Sequence, residues 1–415
     1  MKSASQLRRF NPALVVATLA AGWITVAPGE EARVVVAAGD FDRAQTIVDF
    51  TPPKSKQTDW QLRDGQGRLI PVQIDLDGRA SFVLSKLTKH QTAMFELLAG
   101  APPIPESGGG VEIRRDGKKL KITSGGKPVL DYQMQPGELP RPDIKPILAR
   151  GGYIHPVFSP SGRAVTDDYP SNHAHHHGIW FPWTKTEFEG RTPDFWNMGQ
   201  GSGRVEYAGS LTYWTGPVFG AFRTRHRFVD MTATEEKTAL TEEWEVRVYA
   251  LPAGAGRRFW MFDLISTQEC ASASPLKLPQ YYYGGLGFRG HWDWNGKGKA
   301  FFLTSEGETN RVTGNETRAR WVHLSGDLGG ELSGVAILGH PDNFRAPQPL
   351  RLHPTEPFIC FAPSQLGDWE IVPGQPYVSR YRFVVADGPP DRAELDRLWH
   401  DYAHPPEVRV EVKSR

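Results

Sequence analysis

The sequence predicts an all-β protein: a large antiparallel β-sandwich, preceded by a small β-sandwich module and followed by one helix near the C-terminus. Three observations lead there. Glycine (43) and proline (34) are abundant while helix-period patterns are scarce, the composition of a turn-rich sheet protein. Short runs of alternating apolar and polar residues recur along the chain, the signature of half-buried strands. Strands and helical segments do not alternate, which argues against a parallel sheet wrapped in helices.

Taken in order, residues 1–21 read as a signal peptide. Lys2, Arg8 and Arg9 precede a short apolar run from Ala13 to Ala21, too short to span a bilayer. Residues 22–98 form the small module, with Asp64-Gly65 and Asp77-Gly78 as turns between short strands. The Pro- and Gly-rich stretch 99–110 is the linker. From 111 to 415 the strands lengthen. Those at 111–113 and 120–123 flank an Asp116-Gly117 hairpin turn, and those at 222–229 and 241–251 are neighbours. On these, Arg223, Arg225 and Arg227 line one face and should pair with Glu243 and Glu245 across the sheet. Further strands fall at 258–266, 300–304, 320–324, 334–338, 358–362 and 378–385. Asp391 and Glu394 form a capping box for a helix over 391–403, ended by Pro405-Pro406. A body of this size suggests a supersandwich like that of the galactose-mutarotase superfamily, a fold-level analogy.

Charge excludes some partners. Lys and Arg number 48 against 47 Asp and Glu, so no bulk attraction draws the chain to nucleic acid or anionic membrane. The two cysteines, Cys270 and Cys360, lie outside any metal-binding spacing. They are either a disulfide of an exported protein or two free thiols.

The chemistry concentrates between Tyr169 and Asn197. His173, His175, His176 and His177 fall within five positions, followed by Gly178 and surrounded by Trp180, Phe181, Trp183, Phe188, Phe195 and Trp196. Imidazole is both the commonest metal ligand and the side chain most easily poised for proton transfer. In an extended run, His173, His175 and His177 would share a face opposite His176. The aromatic rings would wall a pocket that stacks on the apolar face of a sugar. Tyr169-Pro170, His173-Ala174-His175-His176-His177-Gly178-Ile179-Trp180 and Asp194-Phe195-Trp196-Asn197 together resemble the signature of the PmoA-like family, bacterial and often exported proteins with no firmly assigned activity. Ala174 and His177 stand where that family usually has Pro and Arg. Residues 339–345, with His340, Asn343 and Arg345, are similar to the family's His-Pro-x-Asn-x-Arg element.

A second cluster spans residues 280–294. Gly285, Gly287 and Gly290 match a dinucleotide fingerprint in spacing only, because no helix follows and no βαβ unit surrounds them. They are better suited to a bend where a strand enters a pocket, from which Tyr281, Tyr282, Tyr283, Arg289 and His291 would reach a ligand. The third cluster is His340, Asn343 and Arg345 at the end of a strand. His155, His291, His323 and His353 are isolated in the sequence, and most of them read as structural.

These residues point to an exported, periplasmic or secreted carbohydrate-active protein using acid/base chemistry in one cleft. His175, His176, His340, Arg345 and Asp194 would be catalytic. Trp180, Trp196, Asn197, Tyr281, Tyr282, Arg289, His291 and Asn343 would bind the glycan. A divalent metal on His173, His175 and His340 is the metal-assisted variant. Hydrolysis, elimination and mutarotase-like isomerisation stay open, as does a non-catalytic glycan-binding scaffold.

Overall fold

The structure, a computed structural model, describes residues 31–54, 59–103, 109–252 and 258–413. The expected export signal and the middle of the linker lie outside the described residues. Among the described residues there is one α-helix, Arg392–Ala403, and everything else regular is strand or short 3-10 turn. That helix is not long and apolar enough to cross a membrane.

Two eight-stranded sheets form the body. In order, the first runs Leu350–Leu352, Phe358–Phe361, Leu286–Arg289, Ile179–Trp180, Tyr153–Val157, Lys127–Gln133, Lys119–Ser124 and Val111–Asp116. The second runs Gly203–Trp214, Phe219–Asp230, Lys237–Tyr249, Phe259–Cys270, Tyr377–Asp387, Leu332–Gly339, Trp321–Asp327 and Ala300–Thr304. Their strand pairings are antiparallel, so the expected sandwich is present. Alternation then decides what each face does. Ile154, Ile179, Phe288 and Ile359 of the first sheet meet Phe222, Trp244, Phe262 and Phe383 of the second in one core. Tyr153, Trp180, Phe358 and Cys360, the alternate residues of the first sheet, form a separate cluster on its outer face.

The outer face of the second sheet is covered differently. Ala336, Leu338 and Val384 pack against Leu395, Leu398 and Trp399 of the helix and against Ile47 and Val83 of the N-terminal module. Asp391 caps the helix as expected, its Oδ1 accepting from the Glu394 N–H at 3.1 Å. The cross-strand pairs are also as expected. Arg223 faces Glu245 at 2.7 Å and Arg225 faces Glu243 at 3.1 Å, while Arg227 turns to Glu206 on the edge strand.

The N-terminal module has its own core, from Val34 and Val36 to Phe82 and Phe95. Its five-stranded sheet is not built from residues 22–98 alone. Glu407–Lys413, at the far end of the chain, pairs along Glu31–Ala37 and sets Val408, Val410 and Val412 against that core. The expected division at the linker is corrected accordingly. Both cysteines are free, and Cys360 is buried.

Candidate functional site

The histidine run is not extended. The His173 N–H donates to the Pro170 carbonyl at 3.0 Å, and the His176 N–H donates to the His173 carbonyl at 2.8 Å, so the segment folds as successive turns. The turns lay His173 over His176, with ring centroids 4.8 Å apart and 25° between planes. They leave His173 and His175 partly open to solvent and bury His176 and His177. The expectation of three histidines on one face is therefore corrected.

Each imidazole has a different setting. Nδ1 of His177 lies 2.6 Å from Oδ1 of Asp168, whose other oxygen accepts from the Tyr153 hydroxyl at 2.9 Å. Burial raises the Asp168 carboxyl to about 6 and holds His177 well below the usual imidazole range. At neutral pH the neutral ring therefore donates Nδ1–H to a carboxylate, and its buried Nε2 has no hydrogen-bond partner among the described residues. His176 is wedged among Phe358, Trp180 and Trp196. Burial above all, then the crowding of other protonatable imidazoles and Arg289, holds it well below the usual imidazole range. Burial and the neighbouring His173 and His177 lower His175 to about 4.

His173 has a charged partner. Its Nδ1 is 3.1 Å from Oε2 of Glu356, within ion-pair range but off the line of a hydrogen bond. Glu356 is itself held by the buried Arg289 guanidinium and by Asn172 Nδ2, which donates to Oε1 at 2.9 Å. Arg289 also reaches Asn172 Oδ1 at 3.2 Å and Asn295 Oδ1 at 2.8 Å. Burial would raise Glu356, but His173 and Arg289 outweigh it and hold the carboxyl at about 2. His353 sits edge-on to His173 with centroids 6.0 Å apart, and burial lowers it to about 4. Asn172, His173, His175, His353, Glu356 and Arg289 thus converge on the outer face of the first sheet.

Glycine placement explains how that sheet carries the cluster. A Cβ on Gly287 would lie 3.1 Å from three atoms of the Trp180 ring, and one on Gly290 would lie 2.8 Å from Trp294. Gly285, at a φ of 124°, leaves no room for a Cβ against the Phe361 carbonyl, so the dinucleotide-like spacing is a backbone and packing requirement of this sheet.

Several expected site residues do other work. His340 follows Ala336 and Leu338 on the second sheet and meets Tyr402 of the helix at 5.0 Å. It therefore lies on the opposite outer face of the sandwich from His173, and the single cleft and the His173–His175–His340 metal triad are both corrected. Among the described residues no group of three or more His, Cys, Asp or Glu is arranged to hold a metal ion. Arg345 spends its guanidinium on the carbonyls of Pro363 and Gly367, each at 2.8 Å, and of Asp368. Asn343 pairs both ways with the Arg380 backbone at 2.8 Å. Asp194 accepts from the Trp196 and Asn197 N–H groups and from Thr184 and Asn197 side chains. Trp180 and Trp196 are 0% and 2% exposed, so neither presents a flat face to a sugar. Asn197 bonds the Tyr283 hydroxyl at 3.0 Å behind Trp196. Tyr281 lies under Lys185, exposed Tyr282 lies under Arg351, and His291 caps the turn Trp292–Trp294.

Glu356, Asn172 and Asn295 were not singled out from the sequence, and His353 was named there only among the isolated histidines. The signal was the carboxylate in His353-Pro-Thr-Glu356, three residues from a histidine that seemed isolated. Only the fold carries it to His173.

The site and the double sheet define a β-sandwich protein with a histidine-rich polar cluster on one outer face. The chain belongs to a family of unknown function, DUF6807, which it matches over residues 119–400. No curated protein matches it. Among solved structures it is similar to a protein in glycosyl hydrolase family 38 from Enterococcus faecalis, at 10% identity and a TM-score of 0.45, over 95% of this chain and 49% of that one. It is also similar to an alpha-mannosidase from Enterococcus faecalis V583, at 10% identity and a TM-score of 0.42, over 93% of this chain and 46% of that one. The chain spans about half the length of each.

Proposed function

We propose that the outer-face cluster carries acid/base chemistry on a carbohydrate or similar polyhydroxylated substrate, with His175 as the base and His173, backed by Glu356, as its partner. The observation that carries this reading is a solvent-reached pair of imidazoles, centroids 5.6 Å apart, in which one is held neutral and the other faces a buried, ionised carboxylate. A neutral imidazole takes up a proton, while a carboxylate behind a second ring fixes its orientation and supplies a counter-charge. Asn172 and the guanidinium of Arg289 set the polar floor on which hydroxyl groups would be ordered.

The test is turnover of an oligosaccharide and polysaccharide panel across pH, read as new reducing ends for hydrolysis and as unsaturated product for elimination. A base titrating at about 4 must be unprotonated to work, so the rate should hold through neutral pH and fall as pH drops through about 4. Saturable glycan binding without turnover at any pH would contradict the catalytic reading and leave a binding protein.

A further inference from the structure

On another part of the molecule, the loop leaving the strand Lys127–Gln133 passes the edge strand Gly203–Trp214. There the edge strand's register slips between Tyr207 and Leu211, and Ala208 and Gly209 bow away from the sheet. A cavity of about 480 Å³ opens beside this bulge. Arg150, only 3% exposed, lines it. Its guanidinium makes one hydrogen bond, from Nε to the Gly151 carbonyl at 3.2 Å, and has no ion-pair partner among the described residues. The other charged residues of the lining are already matched: Arg204 with Glu206 and Glu236, and Arg227 with Glu206.

Glu242 and Asp168 offset the Arg150 charge only from beyond ion-pair range. Its remaining N–H donors therefore stay open to a ligand, and an arginine fork can donate to two oxygens of one oxyanion. We propose that this cavity binds the oxyanion group of a small polar molecule, with Arg150 as its anchor. The volume suits a ligand of small-molecule size rather than a chain segment. Arg150 lies within electrostatic reach of Asp168 and His177, but the cavity's lining includes none of the cluster around His173 and His175. Its ligand chemistry is shared by inorganic sulfate or phosphate and by a sugar carboxylate.

The experiment measures binding of sodium sulfate, sodium phosphate and sodium glucuronate to the full chain at fixed ionic strength, with glucose as the neutral control. At least one oxyanion should bind saturably and glucose should not. A preference for glucuronate assigns a sugar acid, and a preference for sulfate or phosphate assigns the inorganic ion or an ester of it. Arg150→Met should weaken binding on the order of tenfold or more. Glu206→Gln removes the cavity's carboxylate and should tighten it. Absence of saturable oxyanion binding, or equal affinity in a folded Arg150→Met, overturns the proposal. Should Arg150→Met not fold, unchanged or weaker affinity in Glu206→Gln overturns it.

Discussion

Asp194 shows how a residue that looks catalytic in sequence is spent on architecture. Its two oxygens receive four hydrogen bonds, two of them from the backbone that turns into Trp196 and Asn197. Asp194→Ala should cost about 1–3 kcal/mol, because two buried-side donors lose their acceptor. Asp194→Asn, which keeps an oxygen for the backbone pair, should recover most of the loss in a thermal or urea melt. A fully stable Asp194→Asn with no turnover would instead make Asp194 a catalytic acid. The same logic separates the four neighbouring histidines. Sequence showed that they were dense enough to matter, but their turn geometry decides which two reach solvent. No spacing rule could expose the link from His173 through Glu356 to Arg289, because its members come from three distant segments.

At the scale of elements, strands with uninterrupted alternation were legible, as was the capped helix. The edge strand Gly203–Trp214 was not, since Gly209 and polar residues around its bulge break the alternation. The role of Glu407–Lys413 was hidden for another reason. Its alternating valines are not among the expected strands, and alternation names no partner at the other end of the chain. The helix just before it is the clamp. Asp401 receives Arg43 Nη1 at 2.9 Å, Thr46 at 2.8 Å and Arg397 Nη1 at 2.6 Å, in a setting almost closed to solvent. Asp401→Ala leaves the 2%-exposed Arg43 without its carboxylate. Breaking one side of such a pair costs about 3–5 kcal/mol. A chemical denaturation curve should show it. A loss within the range of an ordinary surface substitution would mean that the clamp is not closed in solution.

For the whole molecule, the two sheets have two unlike outer faces. One is sealed by the helix and the N-terminal module, and it holds the half-buried His340 beside Tyr402. The other has neither cover and carries the polar cluster over Trp180 and Phe358. Composition and strand pattern announced the sandwich. They could not say which face each histidine-bearing loop would reach, because a one-residue change of parity sends a side chain through the sheet. The central claim is that function resides on the open face alone. It is tested most directly by comparing His175→Ala with His340→Ala on the same substrate, with folding of each verified by its melting curve. The account predicts a loss of about 10²–10⁴-fold for His175→Ala, the usual worth of a general base, and near-normal turnover for His340→Ala. Retained turnover in His175→Ala, or its loss in a folded His340→Ala, would contradict it.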